Sequence, residues 1–111
     1  MNNFELFSMM FFELDFVFEK QTVKDDFLAM YLSEINPFLW TDCTSSDPAH
    51  FSRFENFMAG KTVGEDFGYS LIAEFLKSED FYSCARDYFL SISKEDFAEH
   101  AKKFLYSPHK C

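Results

Sequence analysis

Site chemistry needs nucleophiles, acid–base groups or metal ligands, and three histidines, three cysteines and nineteen carboxylates are the material at hand. Asp96 and His100 are four residues apart, so on a helix they stand one turn from each other and could act as an acid–base pair. The same spacing describes an ion pair on a solvated helix face, the reading adopted here. Cys43, near Trp40, is the one thiol considered for reactivity, but the neighbouring Asp42 carboxylate disfavours a thiolate and predicts an inert group. His50, His100 and His109 are widely separated and lie in no HExxH or Glu-x-x-His pattern. The Asp42–Asp47 loop lacks the glycine and the twelfth-position Glu of an EF-hand. Gly60, Gly64 and Gly68 recur every fourth residue without the Lys-Ser/Thr of a phosphate loop, and helix starts and close packing account for them. No catalytic residue, cofactor or metal is therefore expected.

What remains is surface chemistry. The formal charge is −9, the wrong sign for a phosphate backbone, so nucleic acid and anionic membrane are poor partners. Residues 1–52 carry nine acids against two lysines and hence −7 of that charge. Asp25, Glu65, Asp80 and Asp96 sit where helix N-termini favour negative charge and are assigned to capping. Glu13, Asp15, Glu19, Asp26, Glu34, Asp42 and Asp66 are left as solvated faces or as a surface turned to a cationic partner. Trp40, in a loop beside Asp42, is either a contact hot spot or a loop anchor. Trp40, Asp42, Glu34, Asp26 and Asp66 are the partner-binding candidates.

These groups must be positioned by helices. Phe4, Phe7, Phe11, Leu14 and Phe18 fall on one helical stripe, although Leu14 to Phe18 also alternates like a strand. A helix here would be central or would show part of its apolar girth to a partner. Thr22-x-x-Asp25 resembles a capping box ahead of a second helix carrying Phe27, Met30 and Tyr31. Residues 36–46 have no period and predict a loop, after which Asp47 and Pro48 read as N-cap and first residue of a third helix with Phe51, Phe54, Phe57 and Met58 inside. Gly60 is placed to end it. Thr62-x-x-Glu65 predicts a fourth helix burying Phe67, Leu71, Phe75 and Leu76, with Gly64 and Gly68 one turn apart. Ser78-Glu79-Asp80 predicts the start of a fifth, with Phe81, Ala85, Tyr88 and Ile92 in register. Ser93-x-x-Asp96 opens a sixth with Phe97, Ala101, Phe104 and Leu105, and residues 106–111 are expected to fray.

The fold expected is an all-α, compact single-domain bundle of five or six short helices spanning residues 1–111. At 111 residues the chain has one domain's length, and with 48% apolar residues, seventeen of them Phe, it can bury its own core. That many rings exceed what a core this size needs, so a few should reach the surface. Three cysteines without a CxxC pattern suggest reduced thiols. The apolar run Leu6–Phe12 lacks the basic flank and cleavage site of a signal peptide, and no run reaches membrane-span length, so a cytoplasmic protein is expected.

The blocks INPFLWTDCTSSDPAHFSRF, residues 35–54, and TVGEDFGYSLIAEFLK, residues 62–77, resemble small bacterial immunity proteins of contact-dependent growth inhibition and related polymorphic toxin systems. The resemblance spans about a third of the chain. It implies a small acidic intracellular protein that binds and blocks a cognate toxin domain, often a nuclease, and it transfers no catalytic residue. The first functional expectation is thus an inhibitor that occludes a basic toxin cleft. The alternatives are a helical adaptor or homodimer subunit burying its surplus aromatics against a sister chain, and an enzyme using Asp96/His100 or Cys43.

Overall fold

The computed structural model describes residues 1–79, 82 and 84–111, and Asp80 and Phe81, expected in the fifth helix start, lie outside them. The first stripe is a helix, α1 (Asn3–Lys20), opened by a capping box that the sequence carries as Asn2-x-x-Glu5. Glu5 N donates to Asn2 Oδ1 at 2.7 Å and Asn2 N to Glu5 Oε1 at 2.8 Å. Five further helices follow among the described residues: α2 (Asp26–Ile35), α3 (Pro48–Met58), α4 (Tyr69–Ser78), α5 (Cys84–Leu90) and α6 (Lys94–Tyr106). The protein is all-α, and α1 packs against each of the other five.

A helix apolar all round belongs at the centre of a bundle, which is where α1 lies. Its Leu6, Phe7, Met10 and Leu14 are fully enclosed. Phe7 meets Phe51 and Phe54 of α3 edge-on, with ring centroids 5.3 and 5.4 Å apart, and Phe54 continues to Phe75 of α4 at 5.0 Å. Edge-to-face pairs add favourable quadrupole contacts to simple burial. The radius of gyration is 13.0 Å, and about 13 Å is expected of a compact domain this long. Among the described residues no helix is long and apolar enough to cross a membrane.

Three helix starts differ from the sequence reading. Asp25 caps α2, in line with its assignment to capping, but as the N-cap itself in place of Thr22: its carboxylate accepts from Leu28 N at 3.1 Å and also from the Tyr88 hydroxyl at 2.5 Å. These hydrogen bonds, Tyr88's first, hold the Asp25 carboxyl below its ordinary pKa. The buried face of α2 is Leu28, Tyr31, Leu32 and Ile35, so Phe27 and Met30 face outward. The fourth helix begins at Tyr69, not after Thr62: Asp66 Oδ1 accepts from Gly68 N and its Oδ2 from Ser70 N and Oγ. Gly68 has φ +89°, and a Cβ there would lie 2.6 Å from Leu6 Cδ1, so glycine is required twice over. Gly60 takes φ +76° just past α3, the left-handed stop expected of it. Gly64 has open space where a Cβ would stand, so close packing explains only Gly68. Glu79, expected at the opening of the fifth helix, is buried and turns to Arg53.

Candidate functional site

The two ends of the chain and the 36–46 loop meet. Cys43 and Cys111 are joined in a disulfide, which corrects the expectation of reduced thiols throughout and removes Cys43 as a nucleophile. Cysteines 68 residues apart in sequence reveal their pairing only once the fold returns the tail to the loop. Cys84 keeps a free thiol, its pKa raised by burial and then by Asp25, as suits an inert group. The inference of a reducing compartment loses its premise, since disulfides persist where conditions are oxidising.

The tail does not fray as expected. Lys110 Nζ donates to the carbonyls of Trp40 at 2.6 Å and Asp42 at 2.9 Å, and Asn2 Nδ2 donates to the Cys111 carbonyl. His109 stacks on Phe104 and places Nε2 2.7 Å from Glu5 Oε2; that partner, with the Ser107 carbonyl, raises the His109 pKa. Trp40 Nε1 in turn donates to the Ser46 carbonyl, and the Ser46 hydroxyl to that of Ser33. Trp40 is thus both loop anchor and surface residue. It remains 50% exposed, next to Phe38 at 52% and Leu39 at 60%.

The loop borders a groove of about 730 Å³ between α1 and α6. Its α1 wall is Met9, Phe12, Glu13, Asp15, Phe16 and Glu19; Phe38 closes one end, and His100, Lys103, Phe104 and the tail from Ser107 to His109 form the other wall. Phe12 touches both Phe38 and Phe104, at 5.4 and 5.6 Å, while Phe16 meets the His100 ring at 5.6 Å. Three of the exposed rings, Phe12, Phe16 and Phe38, line the groove, the first two 37% and 44% exposed. Glu13 was expected at the surface, on a solvated face or turned to a cationic partner, yet its side chain is only 2% exposed. Its Oε1 lies 2.6 Å from His100 Nδ1 and its Oε2 has no hydrogen-bond partner. Burial raises the Glu13 pKa, His100 partly offsets this, and Asp96 adds to it. The solvated Asp96–His100 pair of the sequence reading is replaced, because His100 turns across the groove to α1. Asp15 is raised by burial and by the like charge of Glu19.

A second polar cluster lies between α2, α3 and Glu79. Glu34 Oε1 is 2.8 Å from His50 Nε2, and Glu34 Oε2 accepts from the Tyr82 hydroxyl at 2.5 Å. His50 Nδ1 is 2.6 Å from Arg53 Nη2 and 3.3 Å from Glu79 Oε2. Arg53 Nε and Nη2 grip the two oxygens of Glu79 at 3.0 and 3.1 Å, a two-pronged ion pair. Burial acts to depress His50, but hydrogen bonds to Glu79 and Glu34 outweigh it and raise the pKa. For Glu79 burial acts upward, and His50 and Arg53 overcome it to hold the carboxyl low. The acceptor atoms of Glu34, Asp47 and His50 lie within 4.8 Å of one another, close enough to share a cation. Glu34 and His50 already satisfy each other, however, and a guanidinium occupies the far side of the imidazole, so the cluster is complete as an ion-pair knot.

The five partner-binding candidates are therefore dispersed. Trp40 and Asp42 share the exposed loop, and Asp26 is exposed in the first turn of α2. Glu34 is held inside the knot, and Asp66 is spent on the start of α4. The residues missed were Phe12, Phe16 and Phe104, hidden in apolar stripes that read as core, and the histidine–glutamate pairs, whose partners are 16, 87 and 104 residues apart. Comparison with protein-family models, curated proteins and solved structures finds no match for the chain.

Proposed function

We propose that this chain is a binding protein, not an enzyme, that neutralises a cationic partner in the manner of a toxin-blocking immunity protein, the partner being a nuclease domain with a basic phosphate cleft. The observation that carries the reading is the clamped loop: Phe38, Leu39 and Trp40 are exposed beside the exposed Asp42, on a backbone held by Lys110 and Ser46 whether or not the cysteines are joined. Apolar rings on a pre-ordered backbone lose little entropy on docking, which is the character of an interface anchor. The net charge of −9 supplies attraction at long range. A cytoplasmic setting, which the immunity reading calls for, would have the cysteine pair carried as a dithiol, with Lys110, Asn2 and His109 left to hold the tail.

The test is surface plasmon resonance against the cognate nuclease toxin domain that this reading requires. Association should slow by about one to three orders of magnitude from low to high salt, and Asp42→Lys should act mainly on the on-rate. Trp40→Ala should raise the off-rate and cost about 2 kcal/mol or more, in a variant shown by its melting to be folded. Binding indifferent to salt and to both substitutions rejects the reading. A homodimer is the second reading, favoured by Phe27 and Met30, exposed three residues apart on α2, and sedimentation equilibrium decides it.

A further inference from the structure

We infer that the groove between α1 and α6 receives a basic side chain, an arginine or lysine of the partner protein, whose alkyl stem lies between the Phe12, Phe16 and Phe104 rings and whose cationic head reaches Glu13. The inference rests on the binding-protein reading and names the anchor residue class that the partner presents.

Glu13 Oε2 is the first observation. A carboxylate oxygen shut away without a donor costs free energy that a structural ion pair would not leave unrecovered. The other oxygen already has His100, and Glu13 is one of the residues lining the groove, so a donor docked there is the partner available to Oε2. A donor is needed there: a neutral apolar ligand leaves Oε2 as it is, and an anion adds repulsion. The walls are the second observation. Lys20 Nζ sits 4.0 Å from the Phe16 ring centroid, so the Phe16 ring already accepts a cation from the chain itself. The rim is the third, for Asp15 and Glu19 face the groove together, a like-charge pair on one helix that a cation would relieve. Lys103 is the lysine on the opposite wall and Lys20 lies nearby, and among the described residues neither forms an ion pair with Glu13, Asp15 or Glu19. The volume of about 730 Å³ suits a long side chain with its flanking backbone.

The inference is tested without the partner, by NMR titration of the oxidised protein with n-butylguanidinium, n-pentanol and pentanoate. Shifts mapping to Phe12, Phe16 and Phe104, with the guanidinium binding at least about tenfold more tightly than the other two, are expected for a charge-assisted contact. Glu13→Gln, checked for folding by its melting curve, should erase that preference while leaving pentanol binding unchanged. N-acetyl-arginine methylamide should bind at least as tightly as n-butylguanidinium. Equal binding of the three probes, a preference that survives Glu13→Gln, or rejection of the peptide-bound side chain overturns the inference. Each of these failures leaves the salt-dependent partner binding of the Trp40 loop intact, so it is distinguishable from failure of the functional reading.

Discussion

His50 and His100 are both paired with a glutamate from a distant part of the chain, yet their surroundings differ in one respect. Around His50 each carboxylate oxygen of Glu34 and Glu79 has a partner, and a guanidinium closes the cluster. Around His100 one oxygen of Glu13 is left bare at the edge of an aromatic groove. Pairing of every carboxylate oxygen identifies the first cluster as architecture, tying α2 and α3 to Glu79, although the buried Tyr31 hydroxyl packed beside it has no hydrogen-bond partner. Incomplete pairing beside open volume is what the inferred docking of a basic side chain would complete in the second.

The sharpest way to break this contrast is to remove one member of the knot. His50→Ala leaves Glu34 Oε1 without its partner, although Arg53 keeps Glu79, and it opens a cavity where the ring met Tyr31 and Tyr82, so a loss of about 3–5 kcal/mol is expected in denaturant unfolding. A loss under about 1 kcal/mol would show that the knot is not structural. Next in size is Cys111→Ser, which frees the tail and should cost about 2–4 kcal/mol, since the bridge closes a long loop. Amide hydrogen exchange should then rise in residues 107–111 and 38–43 while the knot keeps its protection.

Glu13→Gln should do little by comparison. The amide oxygen still accepts from His100 and no bare charge remains, so stability should stay within about 1 kcal/mol of wild type or rise. A loss of more than about 2 kcal/mol would place Glu13 in the architecture and dissolve the contrast.

The smallest expected effect is on pH dependence. His50 titrates above its ordinary 6.5 in the fold, so its contribution is complete below 6.5 and is lost as pH rises through the raised value. Glu79 titrates below its ordinary 4.5, so its contribution is complete above 4.5 and is lost as pH falls through the lowered value. The knot therefore stabilises most between pH 4.5 and 6.5. Glu13, raised above 4.5, contributes fully below that pH and progressively less as it ionises in the fold. Melting temperatures followed across pH 3–9 should lose this last component, and only this one, in Glu13→Gln.

Helix type, number and most inward faces were legible because they depend on residues within a turn or two of one another. Asp47–Pro48 and Ser93 start α3 and α6 as their local chemistry requires, and α1 is helical because its stripe has helical period from Phe4 to Phe18. Local patterns failed where two signals competed. Thr62 and Glu65 offered a capping box, yet Asp66 captured Ser70 and Gly68 fitted beneath Leu6, moving the start of α4 to Tyr69. Phe12 and Phe16 have the same residue type and helix as Phe7 and Phe11, and only the placement of α6 and the 36–46 loop decides that they line a groove instead of filling the core. The disulfide, the held tail and the histidine–glutamate pairs join residues up to 109 positions apart, and no local spacing encodes such partners. Sequence determined the helices and the acidic charge, through short-range hydrogen bonding, periodicity and composition. Tertiary structure alone decided which carboxylates are paired, because desolvation and partner distance depend on how the helices pack.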